Sequence, residues 1–351
     1  MAQTMEKTGD KTGFKPKAIA KKLLAVLPER SRTVLEARFG LGQNSERVTL
    51  ESIGKRYQIT RERVRQIENH ALMSLKKSPA FKEADAAFHE LERIIDSLGG
   101  IVCEDDLLNF ITKDKSMQNH IYFLLVLGDP FKYRKEDDEA ERCWYVDQEL
   151  ADKIEGALKS LYKGIADEDL IPEGEMIDRF LKELQTINDK HRNSEVLKRW
   201  LSISKNIGKN PLGEWGHSAS PNVKTKGVRD YAYLAVKKHG SPLHFREVAK
   251  LIEKMFNRAA HVATTHNELI KDDRFVLVGR GMYALKEWGY TSGVVRDVVR
   301  EILRKEGPLT KEGIIEKVLK ERHVKPGTIV VNLQNQKYFK RSKEGTFSVV
   351  K

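Results

Sequence analysis

Thr49–Lys77 reads TLESIGKRYQITRERVRQIENHALMSLKK. Thr49 and Thr60 each stand just before a run with helical spacing, where a hydroxyl can accept from an unpaired amide of the first turn. In the first run Leu50 and Ile53 face inward and Gly54 lets two helices approach closely. In the second, advancing about 100° per residue from Val64 brings Ile67, Ala71 and Leu75 to within about 60° of it, a buried stripe. Glu62, Arg65, Gln66 and Asn69 fall on the opposite side, with Thr60 and Arg61 at the helix start. These side chains are of the types that read bases: Arg donates to guanine, Gln or Asn pairs with adenine, and Glu accepts from cytosine. A short helix, a tight turn and a longer helix with such a face predict a helix-turn-helix entering the major groove.

Upstream, Ala18–Leu41 reads AIAKKLLAVLPERSRTVLEARFGL. Its apolar spacing predicts two helices separated at Leu27-Pro28-Glu29, with Gly40 and Gly42 as the stop. Together, residues 18–77 closely resemble region 4 of primary-type bacterial sigma factors, carried by LPERSRTVLEARFGL and the specific string TRERVRQIE. The resemblance implies that Arg61, Glu62, Arg65 and Gln66 contact an upstream promoter element. It implies further that the preceding helices dock on the β-subunit flap of core RNA polymerase, with Leu27, Leu35 and Phe39 serving both core and docking. Gln58 departs from the family pattern, which has a turn glycine there; a left-handed non-glycine residue costs on the order of 1 kcal/mol. Only about seventeen polar residues precede the first helix, and no aromatic promoter-melting helix follows residue 80, so the chain is not expected to open promoters alone.

Charge is segregated along the rest of the chain. The 351 residues carry a net +12, distributed as +9 over residues 1–80, −13 over 81–175, +5 over 176–227 and +11 over 228–351. An acidic middle would be repelled by phosphate, so double-stranded DNA should meet the two basic ends. The C-terminal part repeats itself with a period of about 66: Val228-Arg229-Asp230 and Val295-Arg296-Asp297 each open a helix, followed by two more helices and an alternating hairpin segment, RFVLVGRGMYAL or KYFKRSKEGTFSVV. Three helices and a hairpin describe a winged helix. Residues 227–288 resemble the HARE-HTH winged-helix family, which includes the globular domain of the RNA polymerase delta subunit; that resemblance implies an adaptor for DNA or polymerase. Weaker copies of the outline fit 89–148 and 149–222. With Val262 and Leu269 facing the core, His261, Thr264, Thr265 and Lys271 are the expected exposed positions of the groove helix. Arg280 sits between glycines at the wing tip, suited to a minor groove or a phosphate. Lys340 and Arg341 belong to a comparable basic surface in the last copy.

The expected fold class is mainly α with short β-hairpins, in several domains: a flexible basic tail (1–17), the helix-turn-helix module (18–80), an acidic winged-helix-like module (81–148), a degenerate one with a linker (149–222), the HARE-HTH-like module (223–288) and a C-terminal winged helix (289–351). Catalysis is not expected, because phosphate-binding loops and nucleophile motifs are absent. HVATTH lacks the acid of a zinc-protease helix, and Cys103 and Cys143, forty residues apart, form no CxxC pair, so neither a metal, another cofactor nor a disulfide is expected. No apolar run suits a membrane, and a cytoplasmic, nucleoid-associated setting fits. The leading reading is a sequence-specific transcription factor. Its rivals are a polymerase-bound regulator acting by protein contact, and a specificity subunit of a restriction or modification system.

Overall fold

The Thr49–Lys77 stretch folds as its pattern requires in the computed structural model, which describes residues 13–185, 187–290 and 293–350. Four helices open the chain: α1 (Pro16–Ala25), α2 (Glu29–Phe39), α3 (Leu50–Tyr57) and α4 (Arg61–Lys76). The Thr49 and Thr60 hydroxyls accept from the amides of Ser52 (3.2 Å) and Arg63 (3.1 Å), so both expected caps form. Gly40 ends α2 in the left-handed region at φ 64°. Residues 1–12 of the expected tail lie outside the described residues. The rest of that stretch is not a tail, because α1 already starts at Pro16 and Phe14 packs on the core.

The chain divides into two compact units, residues 1–208 and 209–351. The first continues with α5 (Pro79–Glu83), α6 (Asp85–Ser97), β1 (Ile101–Cys103), α7 (Glu104–Ile111), α8 (Lys115–Leu127), β2 (Lys132–Arg134) and β3 (Cys143–Tyr145). Its antiparallel sheet has the order β1-β3-β2. Then come α9 (Gln148–Lys163), α10 (Glu173–Leu184) and α11 (Ser194–Leu201). Trp200, fully buried on α11, donates from Nε1 to the Gly99 carbonyl, and Trp144 on β3 donates to Glu104, so both are core anchors. The division at residue 208 falls inside the stretch 149–222 that reads as one module in sequence, within β4 (Ile207–Lys209) and ahead of β5 (Trp215–His217).

The second unit holds two copies of one plan. The first copy is α12 (Val228–His239), β6 (Leu243–His244), α13 (Phe245–Phe256), α14 (Val262–Lys271), β7 (Phe275–Gly279) and β8 (Met282–Leu285). The second is α15 (Val295–Glu306), β9 (Leu309–Thr310), α16 (Lys311–Glu321), α17 (Pro326–Leu333), β10 (Phe339–Arg341) and β11 (Thr346–Val349). Sheets β6-β8-β7 and β9-β11-β10 repeat the order seen in the first unit, with the last strand in the middle. Three helices with a strand after the first and a hairpin after the third is the winged-helix plan read from the repeat. The mainly helical, multi-module class is as expected.

A core that does not respect module edges lies in the first unit. One continuous cluster joins Ala20 and Leu23 of α1, Leu27 in the link that follows, Leu35 and Phe39 of α2 and Leu75 of α4 to Phe88, Leu91, Phe123 and Leu124 of α6 and α8. A smaller cluster of Val34, Ile53 and Val64, closed by Leu50, Tyr57 and Ile67, holds α2, α3 and α4 together. The helix-turn-helix is thus packed on one side against itself and on the other against the acidic module.

Candidate nucleic-acid interface

α4 is oriented by what it buries. Val64, Ala71 and Leu75 are inside and Ile67 is half-buried, while Glu62, Arg65, Gln66 and Asn69 are exposed on the opposite side and Thr60 and Arg61 are exposed at the helix start. The turn before it is tight because Gly54 packs under Ile59: a Cβ on residue 54 would lie 2.6 Å from the Ile59 carbonyl oxygen. Gln58 takes the left-handed conformation, φ 53°, that the turn demands. On the far side Arg38 of α2 pairs with Glu68 at 3.4 Å, a carboxyl pushed up by burial against the opposing pull of Arg38.

The solvent-facing side is pre-arranged. Arg65 donates from Nε and Nη2 to the two carboxylate oxygens of Glu62 at 2.8 and 2.6 Å, and Arg63 donates to the Gln66 amide oxygen at 3.1 Å. The Arg65 hydrogen bonds hold the Glu62 carboxyl below the usual carboxylate range and raise Arg65 in turn. The fork of Arg65 therefore lies along the helix, about one turn from its N-terminus.

Leu27, Leu35 and Phe39 do not form a docking face here. All three are buried, and Phe39 packs edge-on against Phe123 of α8 with ring centroids 5.3 Å apart. The chain's own α8 covers them, because apolar side chains that could dock a partner are buried more cheaply by a tethered helix. A polar knot fixes that helix: the buried Asn119 amide donates to the carbonyls of Gly40 (3.1 Å) and Ser45 (2.8 Å), and its oxygen accepts from Arg47 Nε at 2.8 Å. The Arg47 guanidinium also lies 3.8 Å over the Tyr122 ring.

In the second unit the expected surface is partly redrawn. His261, the N-cap residue at the start of α14, and Thr264 on that helix are exposed, but Thr265 is fully buried, with its hydroxyl donating to the His261 carbonyl at 3.0 Å, and so cannot meet DNA. Val262, expected inside, is 40% exposed instead. The expectation slipped because α14 begins at Val262, which places residues 265 and 269, one turn apart, on the buried side. Arg280 is exposed at the hairpin tip, yet the hairpin is not a free wing: the His323 amide donates to Val278 at 2.8 Å and Gly279 bridges His323. Lys340 and Arg341 are exposed on β10, the edge strand of its sheet. His244 caps α13 and His266 stacks on Phe245 at 4.3 Å, so these histidines are structural. No cluster of three metal-ligating side chains occurs among the described residues, and no helix there is long and apolar enough to cross a membrane.

Sequence reading missed a basic set beside α14. A cleft of about 630 Å³ is lined by Lys224, Lys226, Arg229, Thr264 and Glu268. The segment carrying the three cations is pinned: Arg274 donates to Asn222 (2.9 Å), Asp230 (3.0 Å) and Asp272 (2.6 Å), and Asp230 accepts from the amides of Lys226 and Gly227. The signal was present only as an Asp at the third position of α12, which reads equally as an ordinary cap.

Comparison with known proteins adds an independent line. Residues 23–77 match the family described as Sigma-70, region 4. Over 65 residues the chain is 43% identical to the RNA polymerase principal sigma factor HrdD of Streptomyces viridifaciens, covering 18% of this chain and 19% of that protein. It is 46% identical over 65 residues to the RNA polymerase sigma factor RpoD of Helicobacter pylori (strain ATCC 700392 / 26695), covering 18% of this chain and 10% of the relative. The chain thus spans a fifth or less of the length of these relatives. The matched stretch holds α2, α3, α4 and the end of α1, including every solvent-facing residue of α4 named above, so the similarity to sigma-70 region 4 falls on residues 23–77.

Proposed function

We propose that this chain is a sequence-specific DNA-binding transcription factor without catalytic activity, whose α4 reads a promoter-like element in double-stranded DNA. The observation that carries the reading is the set Thr60, Arg61, Glu62, Arg65, Gln66 and Asn69, all on the outward side of a helix held by two cores and lying within the sigma-70 region 4 match. Arg61, Arg65, Gln66 and Asn69 would read base edges, Glu62 would orient Arg65, and Thr60 would contact a phosphate at the helix start. Association with RNA polymerase is the second part of the proposal, supported by the names of the relatives. It would use the outer surface of α1–α3, since Leu27, Leu35 and Phe39 are already covered. The winged-helix copies, HARE-HTH-like at 223–288, would add DNA or polymerase contacts through His261, Thr264, Arg280, Lys340 and Arg341, in a cytoplasmic, nucleoid-associated setting.

The test pairs binding to a panel of promoter duplexes with retention on core polymerase, for the wild type and for Arg61→Ala combined with Arg65→Ala. Removing a bidentate pair should cost about 1–3 kcal/mol of base discrimination. Loss of sequence preference with polymerase retention intact is the expected result. A wild type that binds polymerase but no duplex, even at low salt, would replace this reading with a regulator acting by protein contact.

A further inference from the structure

The two cysteines of the chain, far apart in sequence, face each other across a β-ladder. Cys103 ends β1 and Cys143 begins β3, and they are direct partners in the antiparallel register, with sulfurs 3.7 Å apart. The hydrogen-bonding pattern fixes the kind of pair. The Glu104 amide donates to the Arg142 carbonyl, and the Val146 amide to the Gly100 carbonyl, so the pairs 104/142 and 100/146 are the hydrogen-bonded ones. Alternation makes 103/143 a non-hydrogen-bonded pair, the site where opposed Cα atoms approach to about 4.5 Å. That separation lies within the span a disulfide bridges, about 4.4–6.8 Å, so closure needs side-chain rotation and little backbone movement.

We propose that Cys103 and Cys143 form a covalent modification site: a cross-strand dithiol that takes a low-molecular-weight disulfide and closes to an intramolecular disulfide. The two sulfurs have different roles because their surroundings differ. Cys103 is half-buried and reachable from solvent, while Cys143 is fully buried. Cys103 is also the N-cap residue of α7, and of the acidic side chains in that first turn Glu104 and Asp105 are paired with Arg142 at 3.6 and 3.0 Å. The single proton of the Cys143 thiol can be given to Cys103 or to the Glu141 carbonyl, and its contact with Cys103 together with burial pushes its ionisation up, leaving Cys103 as the attacking group.

The chemistry balances in two exchanges. The Cys103 thiolate, its proton lost to solvent, attacks one sulfur of the small disulfide; the Cys103 sulfur bonds to it, the S–S bond breaks, and one small thiolate leaves and is protonated. The Cys143 thiol then loses its proton and attacks the Cys103 sulfur 3.7 Å away, releasing the second small thiol. Two protein thiols are oxidised by two electrons, one small disulfide is reduced to two thiols, and excess thiol reverses the sequence. The loop so closed contains α7 and α8, the helix that carries Asn119, Tyr122 and Phe123 against the helix-turn-helix.

The test uses the full chain with oxidised glutathione as the probe, read by intact-protein mass spectrometry, which is unambiguous because the chain has only these two cysteines. The expected product is a chain two hydrogens lighter with no adduct, restored by dithiothreitol. Cys143→Ala should stop at a single glutathione adduct on Cys103, and Cys103→Ser should react far more slowly. Closure should be about tenfold or more faster in the folded chain than in guanidinium, since folding sets the local thiol concentration. A wild type that holds a stable adduct, fails to react, or closes no faster folded than denatured would overturn the proposal. Should Cys143→Ala fail to fold by circular dichroism, the folded-to-denatured rate comparison in the wild type decides alone.

Discussion

Asn119 shows how much one side chain can determine. It is buried, satisfies two carbonyls at the end of α2 and in the loop beyond, and anchors Arg47. Asn119→Ala strips partners from two carbonyls and a guanidinium at once, and should cost about 2–4 kcal/mol, seen as a lower denaturation midpoint. Gln58 works the other way. Its φ of 53° is strained for a residue with a Cβ, so Gln58→Gly should raise stability by up to about 1 kcal/mol with DNA binding unchanged. His120 and His191 are both held below the ordinary histidine value, chiefly by burial. The unfolded chain therefore binds protons that the folded chain refuses. Their contribution is intact above about pH 6.5 and is lost progressively as pH falls from there toward the lower folded values. Urea midpoints of the full chain should decline over that window, and His120→Gln should flatten the decline.

Elements differ in how legibly the sequence announces them. α3 and α4 were readable because caps, apolar stripe and polar face all agree over Thr49–Lys77, and Gly54 marks the close approach. α8 was readable as a helix but not as the cover of α1 and α2, because KSMQNHIYFLLVL is apolar on most sides and periodicity does not say which neighbour it meets. Leu27, Leu35 and Phe39, expected to serve both core and docking, are therefore found wholly inside. On α14 a phase difference of about 60°, the angle between positions three apart, exchanged Val262 and Thr265 between core and surface. The Cys103–Cys143 pairing was invisible because register across forty residues depends on long-range strand order. The shared core makes an element-scale prediction. Phe123→Ala, which removes the ring packed on Phe39, should cost about 3–5 kcal/mol and loosen the helix-turn-helix with the acidic module, visible as faster amide exchange in both α2 and α8.

For the whole molecule, segregated charge becomes a measurable salt dependence. If α4 gives sequence preference, the cations beside α14 should give affinity that is blind to sequence. Replacing Lys224, Lys226 and Arg229 with Ala should lower the slope of log affinity against log salt by up to about 0.9 for each phosphate no longer neutralised, leaving preference among duplexes unchanged. An unchanged slope would exclude the cleft from DNA binding. The Arg61 and Arg65 substitutions should do the reverse, lowering preference more than slope.

The core shared by α1, α2, α4, α6 and α8 also has a geometric consequence. A reading head on a flexible tether can search many orientations, but one cast in a single piece with its neighbour cannot. If α4 seats in a groove as proposed, the acidic module would be carried to one fixed angle around the duplex axis, and any partner it held would arrive in a set phase with the helical turn. Inserting half a turn of DNA between the α4 element and a partner's site should therefore abolish joint binding, and a full turn should restore it.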